Sequence, residues 1–320
     1  MLNKIVAVLK KHQNILITSH VIPDGDSIGS TLALGLALKS MGKNVIMVNN
    51  DPVPEMYGFL FGSDEIKQSS EIVDVPALCV AVDCTGLERI GDELQQIIIR
   101  RQPQVINIDH HISNTNFGSY NVIDPEAAAA GEMIYDLIAA MGVELNIHMA
   151  NALYVALATD TGSFQYGNTK QKTLEIASLL LGKGVKSGII NQTLHENRSL
   201  TSIRLLAAVL PSLNVSEDGQ LAYMWVDIET MQRLGADSEH CEGFVNYPKS
   251  IKGVKIALFF RQMDKHTVKV ALRSKDDYDV NRIARVFGGG GHAKAAGCSV
   301  NASLDEAIRQ VVGFVNKKIN

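Results

Sequence analysis

Hydrophobic positions change their spacing several times along this chain, and those changes outline its elements. Short apolar, β-branched runs of strand length recur at 15–19, 44–48, 78–83 and 104–109. Apolar residues spaced three and four apart predict helices at 27–41, 87–100, 127–141, 149–159 and 171–181. Alternation of this kind predicts an α/β class, with a doubly wound, mainly parallel sheet. Asp26 or Ser27 is placed to cap the helix after the first strand, and Gly42 stands where its C-terminal cap is expected. From 186 to 212 the pattern is helical up to Pro211 and reads as a linker. Beyond it, LAYMWVDI, GVKIALFFRQM and HTVKVALRS read as strands, the last two joined through MDKH in a hairpin. DVNRIARVF and LDEAIRQVVGFVNKKI read as helices on either side of GGGGHAKAAG. The expected organisation is a first domain over 1–185, a helical linker over 186–212, and a smaller α+β domain over 213–320.

Composition narrows this picture. The 320 residues suit two domains, and 46% hydrophobic content gives each an ordinary core. No apolar stretch reaches the roughly 18 residues of a membrane helix. The first fourteen residues read as an amphipathic helix and not a signal peptide, so a cytoplasmic protein is expected. Four cysteines without CxxC spacing suggest neither disulfides nor a thiolate zinc site. The net charge of −4 argues against long duplex nucleic acid. Residues 254–294 nevertheless carry nine Lys/Arg against four Asp, an excess of +5 that points to a confined anionic ligand.

The strand-like runs end on ligand-type side chains. His20, Asp24 and Asp26 lie in HVIPDGD, Asp83 closes ALCVAVD, and Asp109, His110 and His111 close VINIDHH. Asp160 ends the apolar VALATD run. In a parallel sheet the carboxyl ends of the strands share one crevice, so distant residues converge there. PDG alone is a common turn, and a lone Asp83 could cap a helix. Three consecutive ionisable residues after VINI are harder to explain, since burial costs several kcal/mol unless they are paired or bound to metal. One imidazole of the pair would ligate and the other would face substrate, with Asp109 orienting a ring. Asp160 at a helix C-terminus opposes the dipole unless a cation lies near.

A mixed imidazole and carboxylate set suits Mn²⁺, Fe²⁺ or Co²⁺. Two ions about 3.5–4 Å apart would clamp an in-line displacement at phosphorus. The favoured assignment places His20, Asp24 and Asp83 on one ion. Asp26, His110 and Asp160 then hold the other, with Asp83 shared. In the second domain the glycine run, including Gly289, Gly290 and Gly291, offers backbone N–H groups to an anion. His292, Arg273, Ser274 and Asn281 stand nearby as substrate contacts, with Arg261, Arg282 and Lys294 ranked lower.

The set HxxPDGDxxGS, AVD, DHH and TDTGSF, followed by RSK, DVNxIA and GGGGHxxAAG, resembles the DHH phosphoesterases that carry a DHH-associated C-terminal domain. Within them it is most similar to the NrnA-type nano-RNases. The resemblance implies a Mn²⁺-dependent hydrolase using two ions, with Mg²⁺ or Co²⁺ as substitutes, and an active site in the cleft between catalytic and substrate-binding domains. It implies the same six metal ligands, with His111 on the scissile phosphate and the glycines with His292 at the far end of the nucleotide. The activities implied are degradation of short oligoribonucleotides to mononucleotides and removal of the 3′-phosphate of 3′-phosphoadenosine 5′-phosphate. A pApA or cyclic-dinucleotide phosphodiesterase is the alternative within enzymes. A non-catalytic nucleotide sensor is disfavoured, because no ligand position is lost. The expected partners are short single-stranded RNA or small nucleotides, with no membrane; a homodimer is compatible with the sequence.

Overall fold

The computed structural model describes residues 1–275, 277–291 and 293–319, with side chains up to Lys317. The chain divides into two compact units, Met1–Asn197 and Arg198–Asn320. The division falls inside the 186–212 stretch, whose two helices each belong to a core and not to a free-standing connector.

The first unit begins with helix α1 (Leu2–Lys11) and strand β1 (Asn14–Thr18). It continues with α2 (Gly25–Ser40), β2 (Asn44–Asn49), β3 (Lys67–Gln68), β4 (Leu78–Val82), α3 (Asp92–Arg101), β5 (Gln104–Asp109) and β6 (Tyr120–Ile123), then α4 (Ala130–Met141), α5 (Ile147–Asp160), α6 (Gln171–Gly182) and α7 (Ser187–His195). The sheet order is β3-β2-β1-β4-β5-β6, and every pairing is parallel. The chain builds outward from β1 on one side and from β4 on the other, so β1 and β4 flank the switch point where such folds bind ligands. Strand residues alternate between two apolar layers. Ile15, Ile17, Val80, Ile106 and Ile108 face α1, α2, α4 and α5, while Leu16, Cys79, Ala81 and Val105 face α3.

Several boundaries differ from the sequence expectation. The predicted 87–100 helix breaks into a 3-10 turn, Leu87–Ile90, and α3, because Gly91 between them adopts φ 94°. Asp24 caps α2, accepting the Ser27 amide at 3.0 Å; neither Asp26 nor Ser27 is the cap, because the helix starts two residues early at Gly25. The 127–141 helix begins only at Ala130. β6 carries no alternating apolar signal: it is a half-buried edge strand.

The second unit opens with α8 (Leu200–Val209), β7 (Asn214–Val215), β8 (Leu221–Val226), α9 (Ile228–Arg233), α10 (Asn246–Ser250) and β9 (Ile256–Gln262). The hairpin partner β10 (Val268–Ser274), α11 (Val280–Val286), β11 (Gly290–Gly291), β12 (Ala295–Val300) and α12 (Leu304–Ile319) complete it. Its sheet order is β11-β12-β10-β9-β8-β7, antiparallel except for the parallel β8/β9 pair. α11 and α12 cover one face, and α8, α9 and α10 cover the other. Within the glycine run, Gly288 sits in a turn at φ 72°, and Gly290 and Gly291 form the two-residue strand at the sheet edge. A Cβ on Gly289 would lie 2.1 Å from the Gly297 carbonyl, and one on Gly291 would lie 2.5 Å from that of Ala295. β11 and β12 escape a periodicity search because their side chains are nearly all small.

Among the described residues no helix is long and apolar enough to cross a membrane. All four cysteines are free and buried.

Two glycines set the approach of α2 to α5. A Cβ on Gly25 would sit 2.3 Å from the Thr159 side chain, and one on Gly29 would sit 2.3 Å from the Ala152 carbonyl. Gly29→Ala therefore has to push the two helices apart. It should cost about 1–3 kcal/mol, read as a lowered denaturant midpoint at unchanged m-value; an unchanged midpoint would show that the contact is slack.

Candidate metal centre

Four chain segments end at the switch point. The β1–α2 turn supplies His20, Asp24 and Asp26, the residue after β4 is Asp83, β5 runs into Asp109-His110-His111, and α5 ends at Asp160. Asp83 adopts φ 52°, a left-handed conformation that aspartate tolerates better than most residues. The α2/α5 contact at Gly25 and Thr159 brings the N-terminus of one helix beside the C-terminus of the other, and so Asp26 beside Asp160.

Six predicted ligands converge. His20 Nε2 lies 3.7 Å from Asp24 Oδ1 and 3.4 Å from Asp83 Oδ2. His110 Nε2 lies 3.6 Å from Asp26 Oδ2, 3.5 Å from Asp83 Oδ1 and 3.2 Å from Asp160 Oδ2. Three overlapping groups, His20/Asp24/Asp83, Asp26/His110/Asp160 and Asp83/His110/His111, each bring ligand atoms within 4.8 Å of one another, close enough to hold a metal ion. Asp83 is the hinge of the arrangement: one oxygen faces the His20 group and the other the His110 group. Its Oδ1 is buried and accepts no hydrogen bond.

The surrounding groups aim these side chains. Nδ1–H of His20 donates to the Val21 carbonyl at 2.8 Å and that of His110 to Ala127 at 3.2 Å, which leaves Nε2 of both rings directed at the carboxylates. Asp26 accepts from the Ala130 and Gly131 amides at 2.6 and 2.9 Å and from the Ser30 hydroxyl at 3.0 Å. The first two donors open α4, whose N-terminal dipole favours an anion. His111 Nδ1–H donates to Asp109 Oδ1 at 2.7 Å, and Asn114 reaches Asp109 Oδ2, Asn107 Oδ1 and the Cys84 carbonyl. Asn168 joins two carbonyls, donating to Ala128 at 3.0 Å and to Asp160 at 3.1 Å.

The electrostatics of the cluster suit a cation. Burial would lower the His20 and His110 imidazoles, but hydrogen bonds and charge from Asp24 and Asp83, and from Asp160 and Asp83, outweigh it and hold both well above the usual value. Burial opposes ionisation of Asp83 too, yet the imidazoles of His110 and His20 keep it well below the carboxylate range, and His20 does the same less strongly for Asp24. Asp26 goes the other way, driven up by burial and by the charges of Asp83 and Asp160 in spite of its three donors. Protons are thus standing in for positive charge. Oxygen and imidazole donors without a thiolate fit a hard or borderline divalent ion.

In the second unit, Arg273 is half-buried on β10 and faces Ala295 of β12, next to the Gly291/Ala296 pair. Asn281 opens α11; its Oδ1 is buried without a hydrogen bond, and a Cβ on Gly290 would lie 3.9 Å from it. Ser274 is 2% exposed and donates to the Tyr278 carbonyl at 2.6 Å, so its hydroxyl ties the loop together instead of opening to a ligand. Lys249 of α10 joins this end of the sheet, held below its usual value by burial and by the charges of Arg273 and Lys275. His292 lies outside the described residues.

Sequence reasoning missed Asn114, Asn168, Lys249 and the peptide groups of 127–131. The one available signal was the alanine run before α4, too small to fill a core and therefore free to bring backbone close to a site.

The sequence comparisons agree with this geometry. Residues 14–159 match the DHH family, N-terminal domain, and residues 218–320 match the DHHA1 domain. The chain belongs to the DHH family. A Thermus thermophilus protein named bifunctional oligoribonuclease and PAP phosphatase NrnA is 35% identical over 306 residues, covering 95% of this chain and 90% of the relative. A Bacillus subtilis protein of the same name is 29% identical over 317 residues, covering 97% and 96%. The crystal structure of an exopolyphosphatase-related protein from Bacteroides fragilis superposes with a TM-score of 0.91 at 30% identity, covering 99% of this chain and 95% of that one. RecJ from Thermus thermophilus, solved with Mn²⁺, shares the fold at a TM-score of 0.54 and 16% identity, covering 99% of this chain and 55% of RecJ.

Two outcomes are expected. Raised pKa values in the folded protein mean that His20 and His110 stabilise the metal-free chain below their unfolded value, and that this stability is lost as pH rises through their folded values. The metal-free melting temperature should therefore fall above about pH 6.5, while Mn²⁺ affinity rises with pH as the imidazole protons are released. Calorimetry in buffers of different ionisation enthalpy checks this, and binding without proton release would contradict it. Asn168→Ala should weaken Mn²⁺ binding by about 10–100-fold and recover most turnover at saturating metal; an affinity equal to that of the parent would remove Asn168 from the centre.

Proposed function

We propose that the chain is a two-metal phosphoesterase that hydrolyses short oligoribonucleotides to mononucleotides and removes the 3′-phosphate of 3′-phosphoadenosine 5′-phosphate. Near full-length similarity to proteins named for those two activities supports this reading. The observation that carries it is Asp83, whose two oxygens face two separate ligand groups 3.4 and 3.5 Å away.

His20, Asp24 and Asp83 would hold one ion; Asp26, Asp83, His110 and Asp160 would hold the other. Mn²⁺ suits the donor set best, with Mg²⁺ or Co²⁺ as substitutes. Such a pair of divalent ions lowers the pKa of water and offsets charge on phosphoryl oxygens. His111 is held by Asp109 through Nδ1, and its ring would contact a non-bridging oxygen of the scissile phosphate. Asp109 would keep that ring in a fixed orientation toward those oxygens. In the second unit Arg273, Asn281, Gly290 and Lys249 would bind a phosphate or base of a nucleotide, with Ser274 fixing the loop beside them. A small cationic patch on an acidic chain suits short substrates better than a long polymer, which needs an extended basic track.

Rates with Mn²⁺ on a 3-mer RNA, pApA, cyclic di-AMP and 3′-phosphoadenosine 5′-phosphate test the reading. Turnover of the 3-mer and of 3′-phosphoadenosine 5′-phosphate is expected, and Asp83→Ala should abolish it with an intact circular dichroism spectrum. Hydrolysis confined to cyclic di-AMP, or activity surviving in Asp83→Ala, would overturn it.

A further inference from the structure

The loop that carries His20, Asp24 and Asp26 contains a residue whose conformation is expensive. Ile22 adopts φ 56°, in the left-handed region. A β-branched side chain there is a genuine outlier, and the following Pro23 restricts the backbone further. Glycine or asparagine would occupy the position with less strain. The loop is pinned on both sides: the Ile22 amide donates to Asp51 Oδ2 at 2.6 Å, and the Val21 amide donates to the Arg89 carbonyl at 2.7 Å.

The side chain held this way is not part of a core. Ile22 is 67% exposed. Its Cα lies two residues from both His20 and Asp24, hence within about 7.6 Å of each along the chain. A second bare aliphatic, Ile112, follows His111 directly and is 83% exposed. Single exposed apolar residues are ordinary. An exposed apolar residue kept in a strained backbone, next to a cage of charges, calls for an occupant.

We infer that Ile22, with Ile112, forms an aliphatic contact for the nucleoside attached to the scissile phosphate. This rests on the phosphoesterase reading above. A phosphate bound at the cage carries its sugar and base outward past the two loops. Stiff β-branched side chains present fixed apolar surface to a base face, at little entropic cost on binding. The contact is indifferent to base identity, as hydrolysis of mixed short sequences requires. Ile22 is therefore a specificity residue for nucleosides over bare phosphoesters.

The test uses full-length protein saturated with Mn²⁺, the variants Ile22→Asn and Ile112→Ser, and two substrates: pApA and the same dinucleotide with both bases removed. Ile22→Asn should raise KM for pApA about tenfold with kcat within about twofold, leave KM for the base-free substrate unchanged, and hold or raise the melting temperature as strain is relieved. Ile112→Ser should show the same split more weakly. An unchanged KM for pApA, an equal rise on the base-free substrate, or a lowered melting temperature would overturn the inference. So would a changed sedimentation coefficient at constant KM, which would make Ile22 a contact between chains. Parent protein inactive on pApA, RNA and 3′-phosphoadenosine 5′-phosphate would instead sink the functional reading itself.

Discussion

Four carboxylates and two imidazoles crowded into one buried crevice cannot all carry their ordinary charges. The conflict is visible in the directions of their shifts: Asp26 and both imidazoles are all pushed above their usual values, Asp26 by burial and like charge, the imidazoles by the carboxylates around them. Like charges a few ångströms apart in a poorly hydrated site cost several kcal/mol unless something positive lies between them. Divalent cations would resolve the conflict, and much of the first unit reads as the scaffold that holds these groups in place. β1 and β4 deliver residues from both sides of the switch point, and β5 adds the imidazoles. The glycine contacts between α2 and α5 draw Asp160 alongside Asp26 despite the unfavourable helix dipole.

Precision comes from peptide groups more than from side chains. The segment 127–131 offers a carbonyl to His110, another to Asn168, and two amides to Asp26. That stretch thereby orients His110 and Asp26 directly and reaches the Asp160 backbone through Asn168. Rigid backbone donors lose less on ordering than flexible side chains do, and they fix the tautomer of His110 as well as the direction of Asp26. The DHH triplet divides its labour in the same terms: Asp109 looks inward to Asn114 and His111, His110 faces the carboxylates, and His111 borders the same cage.

The convergence of these side chains was readable from their places at the ends of apolar runs, although each taken alone had an alternative use as a turn or a cap. His and Asp at the ends of β-branched runs seldom belong in an apolar core, and the β-α alternation pointed to the parallel sheet but not to its strand order. Asp24 as the cap of α2 was not readable, because a helix that starts inside PDGD breaks the turn reading of that motif. Gly25 looked like a turn glycine, but its necessity comes from Thr159, more than a hundred residues away. β6, β11 and β12 stayed hidden because edge strands and glycine-alanine strands carry little periodicity. Ser274 looked like a contact and proved to be a loop staple, since a hydroxyl in RSK says nothing about where its proton goes. Asn168 was invisible for the same reason: its partners are carbonyls, and carbonyls have no sequence.

The central claim is that one shared carboxylate, Asp83, joins two cation sites. Titration of the metal-free protein with Mn²⁺, followed by electron paramagnetic resonance, tests it most directly. The account predicts two ions per chain and a spin-coupled spectrum that Asp83→Ala converts to isolated ions or none. A single tightly bound ion with an uncoupled spectrum, or coupling that survives the loss of Asp83, would contradict it.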